Sequence, residues 1–387
     1  MAESDSALNG EGAPARPRIA IAHDYITQRG GAERLLLSMH HAFPDARIYT
    51  TLYEPEATYP EFKDLDIVVS PINKVAALRR DHRKALPLLA PASSAMHVDA
   101  DVVLASTTGW AHGFRTSGRM VAYCNTPARF LYLRDQYLGD AGTFSARALG
   151  LRVLAPFLRI WDQRAARRVD TYVANSSAIR ERVRQVYGRE SEVIYPAHSV
   201  NTDGPRVPAT GLEDFVGDGG HLLLVSRLMP YKNVDKAIAA IASLPNERLV
   251  IVGDGPQRAE LAASLPGNVR LVSGISDEEL RWLYARSRAL VAPSFEDFGL
   301  TVVEAAAWGK PSIALRAGGY LDTVSEGVTG RFFDKAEPAQ IAAAIAASRF
   351  DVWDVARIKT HAREFSEDSF ARKLRAVVDE TLMRAQA

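Results

Sequence analysis

APSFEDFGLTVVEAAAWG, residues Ala292 to Gly309, carries two carboxylates, Glu296 and Glu304, with seven residues between them. The run before it, Arg288 to Pro293 (RALVAP), reads as a strand leaving a core; Ser294 to Gly299 reads as a loop; Leu300 to Trp308 reads as a helix stopped by Gly309 and Lys310-Pro311. Glu296 is therefore expected at a strand's carboxyl end and Glu304 one turn into the next helix. In open α/β sheets ligands bind outside the carboxyl ends of the strands, and a helix amino end turns unpaired N–H groups and a positive dipole towards an anion. A phosphate is expected over Gly299 to Thr301, with one glutamate left for sugar hydroxyls on the loop and the other for a ribose across the helix mouth. Two random glutamates more often mean a solvated loop acid and a helix-surface acid. Glu304, however, lies among Val302, Val303, Ala305, Ala306, Ala307 and Trp308, where a charge is costly unless something pairs with it.

Outward from this stretch the chain alternates. Upstream, His221 to Ser226, Arg248 to Gly253, Val269 to Ser273 and Ala289 to Ala292 read as strands separated by helices at Val234 to Ser243, Pro256 to Ser264 and Asp277 to Ser287. Arg227 and Lys232 stand five apart between the first of these strands and its helix, where two cations can converge on one diphosphate. Gly253-Asp254-Gly255-Pro256 is a tight turn and lacks the third glycine of a dinucleotide fingerprint. Pro196 to Gly220 has no periodicity and reads as a linker. Before it lies a second alternating series, with strands expected at Arg18 to His23, Arg47 to Leu52, Asp66 to Val69, Asp101 to Ala105, Met120 to Cys124 and Asp170 to Ala174. Gly30-Gly31 follows the first of these and opens the helix Ala32 to His41. Such alternation predicts parallel sheets covered on both faces, hence an α/β chain of two Rossmann-like halves with the ligand in the cleft between them.

The composition is that of an ordinary soluble protein: 47% hydrophobic and 24% charged residues. Lys plus Arg number 47 against 46 acidic residues, so the formal charge of +1 gives no argument for nucleic acid. A single cysteine, Cys124, rules out an internal disulfide and a thiolate zinc cluster, and fits a reducing cytoplasm. Residues 1–17 are small, polar and proline-containing and read as a disordered leader. Asp99-Ala100-Asp101 has the spacing of a metal-binding D-x-D, but Asp101 opens a strand that the alternation already requires, and no metal is expected.

The SFEDFGLTVVEAAAWGKPSIA stretch and SRLMPYKN (Ser226 to Asn233) together resemble the EX7E region and the phosphate-binding loop of family 4 retaining glycosyltransferases, which have the GT-B fold. The resemblance is strong from about His221 to Phe333 and looser from Ile19 to Ile194. It implies an acceptor domain over 18–198, joined by the terminal helix of about 366–387, and a donor domain over 199–365. It implies metal-independent sugar transfer from a nucleotide-diphospho-sugar, plausibly GDP-mannose by likeness to mannosyltransferases of cell-surface polysaccharide pathways, with no further cofactor. By the same resemblance Gly30 and Gly31 face the donor diphosphate, Gly253 and Gly255 lie beside the nucleotide, and Arg227 and Lys232 neutralise the leaving group. Glu304 holds the ribose and Glu296 the transferred sugar, Phe298, Gly299, Leu300 and Thr301 complete the donor site, and the base rests near Val272 to Ile275.

One position departs from the pattern. In the segment YCNTPARFLY this chain has Asn125 where the family usually shows a histidine, and an amide can exchange hydrogen bonds but cannot carry a proton. His23 and His112 are the nearby histidines to consider. Retaining transfer in which the leaving phosphate takes the acceptor proton does not require a protein base. The competing readings are a sugar-nucleotide epimerase or hydrolase, and a non-catalytic binding protein motivated by Asn125. Arg147, Arg152, Arg159, Arg164, Arg167 and Arg168, with Arg79, Arg80, Arg83 and Lys84 upstream, make a basic, aromatic-bearing stretch suited to an anionic membrane that holds a glycan or lipid-linked acceptor. The expected place is the cytoplasm, at the inner face of that membrane.

Overall fold

The computed structural model of the chain describes residues 17–132, 146–198, 200–217 and 220–386. The leader expected at 1–17 lies, except for Pro17, outside the described residues. Two parallel sheets organise the rest. The first comprises β1 (Ile19–His23), β2 (Arg47–Thr50), β3 (Ile67–Val69), β4 (Val102–Thr107), β5 (Arg119–Cys124), β6 (Thr171–Ala174) and β7 (Glu192–Val193), in the order β3-β2-β1-β4-β5-β6-β7. The second comprises β8 (His221–Val225), β9 (Leu249–Val252), β10 (Val269–Val272), β11 (Ser287–Ala292), β12 (Ser312–Leu315) and β13 (Gly330–Phe333), in the order β10-β9-β8-β11-β12-β13. Each is a doubly wound Rossmann-like sheet, with β4 (VVLAST) and β9 (LVIV) buried along their whole length as helices on both faces demand. In each sheet the strand order reverses beside its first strand, between β1 and β4 and between β8 and β11, which is where such folds bind ligands.

The expected strands are present with ends shifted by one or two residues, as hydrogen-bond assignments at strand ends allow. Three strands of these sheets escaped the sequence reading: β7 is two residues long, and β12 and β13 are four residues each, β13 beginning with a glycine. The linker is also shorter than its composition indicates, because Ala209, Leu212 and Val216 are buried in the core of the second sheet.

The helices that matter for the cleft are α1 (Gly31–Ala42), α2 (Ala146–Ala166), α3 (Ser177–Tyr187), α4 (Val234–Ala242), α5 (Asp277–Arg286), α6 (Leu300–Ala307) and α7 (Glu367–Gln386). All but α2 and α7 follow a strand with no other α-helix between. Ser176 Oγ caps α3 by accepting from Ile179 N at 3.1 Å, and α5 opens with a full capping box of Ser276 and Glu279. Helix α7 lies on the first sheet: Phe370, Leu374, Val377 and Val378 join that core, and Arg375 Nε donates to the Ala42 carbonyl at 2.9 Å.

The turn into α1 buries a carboxyl. Glu33 is 1% exposed, and its Oε2 lies 2.6 Å from where a Cβ on Gly30 would stand, so a larger residue there would have to displace the carboxyl. A carboxylate at a helix amino end should be favoured by the dipole, yet burial wins and raises the Glu33 pKa from 4.5 to about 7, against the pull of its hydrogen bonds and of Arg227. Because the folded value lies above the unfolded one, this group's stabilising contribution is complete below pH 4.5 and is lost as pH rises to about 7. Glu33→Gln should leave stability at pH 4 nearly unchanged and raise it at pH 8 by ~1–3 kcal/mol, as read by urea unfolding across that range. A parallel pH dependence in both proteins would show that Glu33 ionises freely in the fold.

Candidate active site

The carboxyl edges of the two sheets face each other. Contacts between them come from the loops and helix starts beyond the strand ends and from Arg182 within α3. An ideal Cβ on Gly31, after β1, would lie 3.3 Å from Leu300 Cδ1, after β11. Ser176, after β6, donates from its hydroxyl to the Asp297 carbonyl at 2.5 Å. The quoted stretch is thus in the cleft: β11 ends at Ala292, Gly299 with φ +98° precedes α6, and Gly309 with φ +71° follows it.

Lys232 and Glu296 form an ion pair with both side chains largely buried, and Glu296 Oε1 also accepts from Ser294 Oγ at 2.7 Å. The pair is held by its neighbour. Asn233 adopts φ +55°, alone among the described non-glycine residues, and its Nδ2 donates to the Pro293 carbonyl at 3.0 Å. A left-handed asparagine is tolerated because its short side chain bonds locally, and here it ties the Lys232 turn to the end of β11. Arg227, on the same turn, is exposed, and its charge reaches Glu33 and His82 of the first domain. His82, stacked on Tyr25 at 4.2 Å, is held down to about 4 first by burial and also by nearby cations, so it is neutral at pH 7.

Glu304 lies one turn into α6 and accepts from the Tyr284 hydroxyl at 2.9 Å. Burial raises its pKa above the ordinary carboxylate value, opposed by that hydroxyl and by Arg34 across the cleft. The charge that the apolar helix disfavours therefore has a partner on α5. Gly253 and Gly255 are explained by close packing: a Cβ would lie 1.9 Å from Ser226 O and 2.5 Å from Leu228 O, respectively. They seat the Arg227 turn from behind. Val272 ends β10, and Ser273 to Ile275 follow it at the same edge.

On the first-domain side, Asn125 follows β5, and its Nδ2 donates to Ser106 Oγ at 3.1 Å while its carbonyl accepts from Asn175 Nδ2 at 3.0 Å. Neither histidine stands in for the missing one. His23 is buried, with its pKa lowered by that burial. His112 is fully enclosed, with Nε2 3.0 Å from Asp162 and Nδ1 3.0 Å from Thr107 Oγ1. Asp24 is equally occupied, accepting from the backbone N–H groups of Thr108, Trp110 and Ala111 and from the Thr108 hydroxyl. Asp99 and Asp101 are both paired with Arg18, whose backbone N–H donates to Asp101 ahead of β1, at the opposite edge from the cleft. Among the described residues no three His, Cys, Asp or Glu side chains gather as a metal site.

Several residues of the site are absent from the sequence reading. Gly318 and Gly319, after β12, leave no room for a Cβ, which would lie 2.2 Å from Glu296 O and 2.3 Å from Phe298 Cα; Gly319 N donates to Glu296 O at 2.9 Å. The available signal was a Gly-Gly pair after a short apolar run. Arg129 and Arg182 both bond the Asp297 carboxylate from the other domain. No local pattern marks them.

A family model described as Glycosyltransferase Family 4 matches residues 29–201, and one described as Glycosyl transferases group 1 matches residues 214–348. Among curated proteins the chain is 28% identical over 208 residues to D-inositol 3-phosphate glycosyltransferase of Mycobacterium tuberculosis, covering 49% of this chain and 43% of that one. The chain thus spans less than half the length of such relatives. Among solved structures it resembles Anabaena HepE in complex with UDP (TM-score 0.67, 20% identity, 94% of this chain and 100% of that one). It also resembles sucrose-phosphate synthase from Thermosynechococcus elongatus (TM-score 0.68, 17% identity, 96% of this chain and 100% of that one). With two Rossmann-like domains meeting at their carboxyl edges, the chain has the fold of the GT-B glycosyltransferases, with a Family 4 glycosyltransferase match on its first domain and a group 1 glycosyl transferase match on its second.

Proposed function

We propose that the protein is a retaining glycosyltransferase that moves a hexose, mannose by the family resemblance, from a nucleoside-diphospho-sugar such as GDP-mannose to a glycan or lipid-linked acceptor, with no metal ion. The observation that carries this reading is the Lys232–Glu296 pair beside the amino end of α6, with Arg227 on the same turn as the lysine. The solved relatives holding UDP and UDP-glucose support a nucleotide-sugar donor. The diphosphate would lie over Gly299 to Thr301, against the unpaired N–H groups of α6 and the two cations, with Glu304 on the ribose. As the bond from the anomeric carbon to the β-phosphate oxygen breaks, its electron pair goes to that oxygen. Fixed positive groups are worth most at that moment, when negative charge grows. The acceptor hydroxyl attacks the same face, and its proton passes to the departing phosphate. Asn125 would then serve by hydrogen bonding, as an amide can.

The acceptor side carries a surface suited to a lipid-borne substrate. Val153, Phe157 and Ile160 are 63%, 70% and 52% exposed and follow one another down the outer face of α2, with Arg152, Arg164 and Arg167 exposed around them. Asp162, the acid within this stretch, is turned inward onto Tyr132 and Tyr187, so it does not offset the outer charge. Arg147 lies outside the described side chains, and Arg79 is tied to Glu54. No helix among the described residues is long and apolar enough to cross a membrane. An apolar stripe ringed by arginine instead fits shallow contact with an anionic membrane surface, which would place the protein at the inner face of the cytoplasmic membrane.

Lys232→Ala and Arg227→Ala should each lower kcat by roughly 10²–10³-fold while changing donor Kd far less, and chelator should leave the wild-type rate unchanged. Losses confined to KM would make these cations ground-state anchors, and a rate restored by magnesium after chelation would make the reaction metal-dependent. Glu304→Gln should weaken free nucleoside diphosphate as well as donor, whereas Glu296→Gln should weaken only the ligand that carries a sugar. Calorimetry with both ligands separates the two roles, and equal weakening by Glu296→Gln defeats the division. Phe157→Glu should abolish co-sedimentation with anionic phosphatidylglycerol vesicles and keep slow donor hydrolysis in solution; unchanged sedimentation removes the membrane reading.

A further inference from the structure

Asp297 follows Glu296 in the chain, yet its polar groups are engaged by the other domain. Oδ2 accepts from Arg129 through Nε at 3.1 Å and through Nη2, Oδ1 accepts from Arg182 Nη1 at 2.9 Å, and its carbonyl takes the Ser176 hydroxyl. The carboxylate is buried. Arg182 Nη1 also reaches Thr126 Oγ1 at 3.2 Å, so the loop holding Asn125 is drawn into the same cluster. From its own domain, the Glu296–Phe298 backbone is pressed against Gly318 and Gly319 and held by the bond from Gly319 N to Glu296 O. The backbone beside Glu296 is therefore gripped on one side by a glycine turn and on the other by two guanidinium groups of the opposite domain.

On the reading that Glu296 addresses the donor sugar, we propose that Asp297 is a positioning residue that makes the sugar site conditional on domain closure: its capture by Arg129 and Arg182 latches the cleft and sets the orientation of the Glu296 loop. Both domains contribute what the other lacks. A buried carboxylate is tolerated because two charge-assisted partners meet it, and the two guanidinium groups approach one another only because a carboxylate lies between them. Removing Asp297 takes away the carboxylate by which the second domain holds Arg129 and Arg182 of the first, and leaves those two charges without it, which loosens the closed cleft. Removing one arginine leaves Asp297 still paired with the other. Asp322 makes a further contact with the first domain, accepting from Ser177 N at 2.7 Å and from the Tyr195 hydroxyl at 3.4 Å.

The test uses the full chain and needs no acceptor for its first arm. In small-angle scattering without ligand, Asp297→Asn should have a larger radius of gyration than wild type, and Arg129→Gln and Arg182→Gln a smaller increase. The double variant Arg129→Gln/Asp297→Asn, with one cation removed, should be no more open than Asp297→Asn alone. Affinity of Asp297→Asn for free UDP or GDP should stay within about twofold of wild type, because the nucleotide-facing groups are untouched, while kcat falls by roughly ten- to hundredfold. Glutamate at this position, Asp297→Glu, keeps the charge and should stay compact, which guards against an asparagine variant that merely misfolds. An unchanged radius of gyration in Asp297→Asn, or strictly additive kinetic losses in the double variant, overturns the latch. An equal loss of nucleoside diphosphate affinity makes Asp297 an ordinary part of the nucleotide pocket. Since scattering and nucleotide binding require no turnover, failure of the latch and failure of the transferase reading are seen separately.

Discussion

Parallel pairing is the constraint on which the site depends. Every strand of the two large sheets runs parallel to its neighbours, so within each sheet all carboxyl ends reach the same edge. Each crossover brings the chain back through a helix, and helices that start at that edge add their positive ends to it. Asn125 and Ser176 therefore collect on one edge; Arg227, Glu296 and Gly319 collect on the other. Neither edge makes a pocket by itself. The cleft exists because the two edges meet.

Inside the cleft, ionisable groups are held by partners from different elements. Lys232 and Glu296 come from the turns after β8 and β11, Glu304 and Tyr284 from α6 and α5, and Asp297 and its arginines from opposite domains. Burying any of these charges alone would be costly, and each pairing across elements removes that cost only in one geometry. The result is a set of charges fixed before any ligand arrives. Such preorganisation is what electrostatic stabilisation of a leaving group requires.

The chain joins the two domains twice, through the segment after β7 and again before α7. An aromatic cluster marks the crossing: Phe298 lies 5.8 Å from Tyr195 and 5.8 Å from Phe365, ring centroid to ring centroid. Phe298 belongs to the same loop as Glu296 and Asp297, so that loop touches the crossover as well as the cleft. Helix α7 is docked on the first sheet, so the chain returns to the domain in which it began.

Local sequence was enough for the alternation of strands and helices, the two-domain α/β architecture, the positions of Glu296, Arg227 and Lys232 in loops after strands, and that of Glu304 one turn into a helix. These are local properties: periodicity, helix-start signals and charge spacing are written within a dozen neighbouring residues. It did not reveal β7, of two residues, nor β12 and β13, the latter opening on a glycine. The aspartates of the D-x-D could be doubted from sequence, but their pairing with Arg18, more than 80 residues away, could not be read there. Only the tertiary structure decided that His112 serves the fold through Asp162, that Gly318 and Gly319 are required by the backbone of the Glu296 loop, and that Arg129 meets Asp297 across 168 residues of chain. The reason is physical: a side chain's propensity acts on its own turn or strand, whereas the partner of a buried charge is chosen by how two separately folded sheets dock, and no short stretch of sequence contains that geometry.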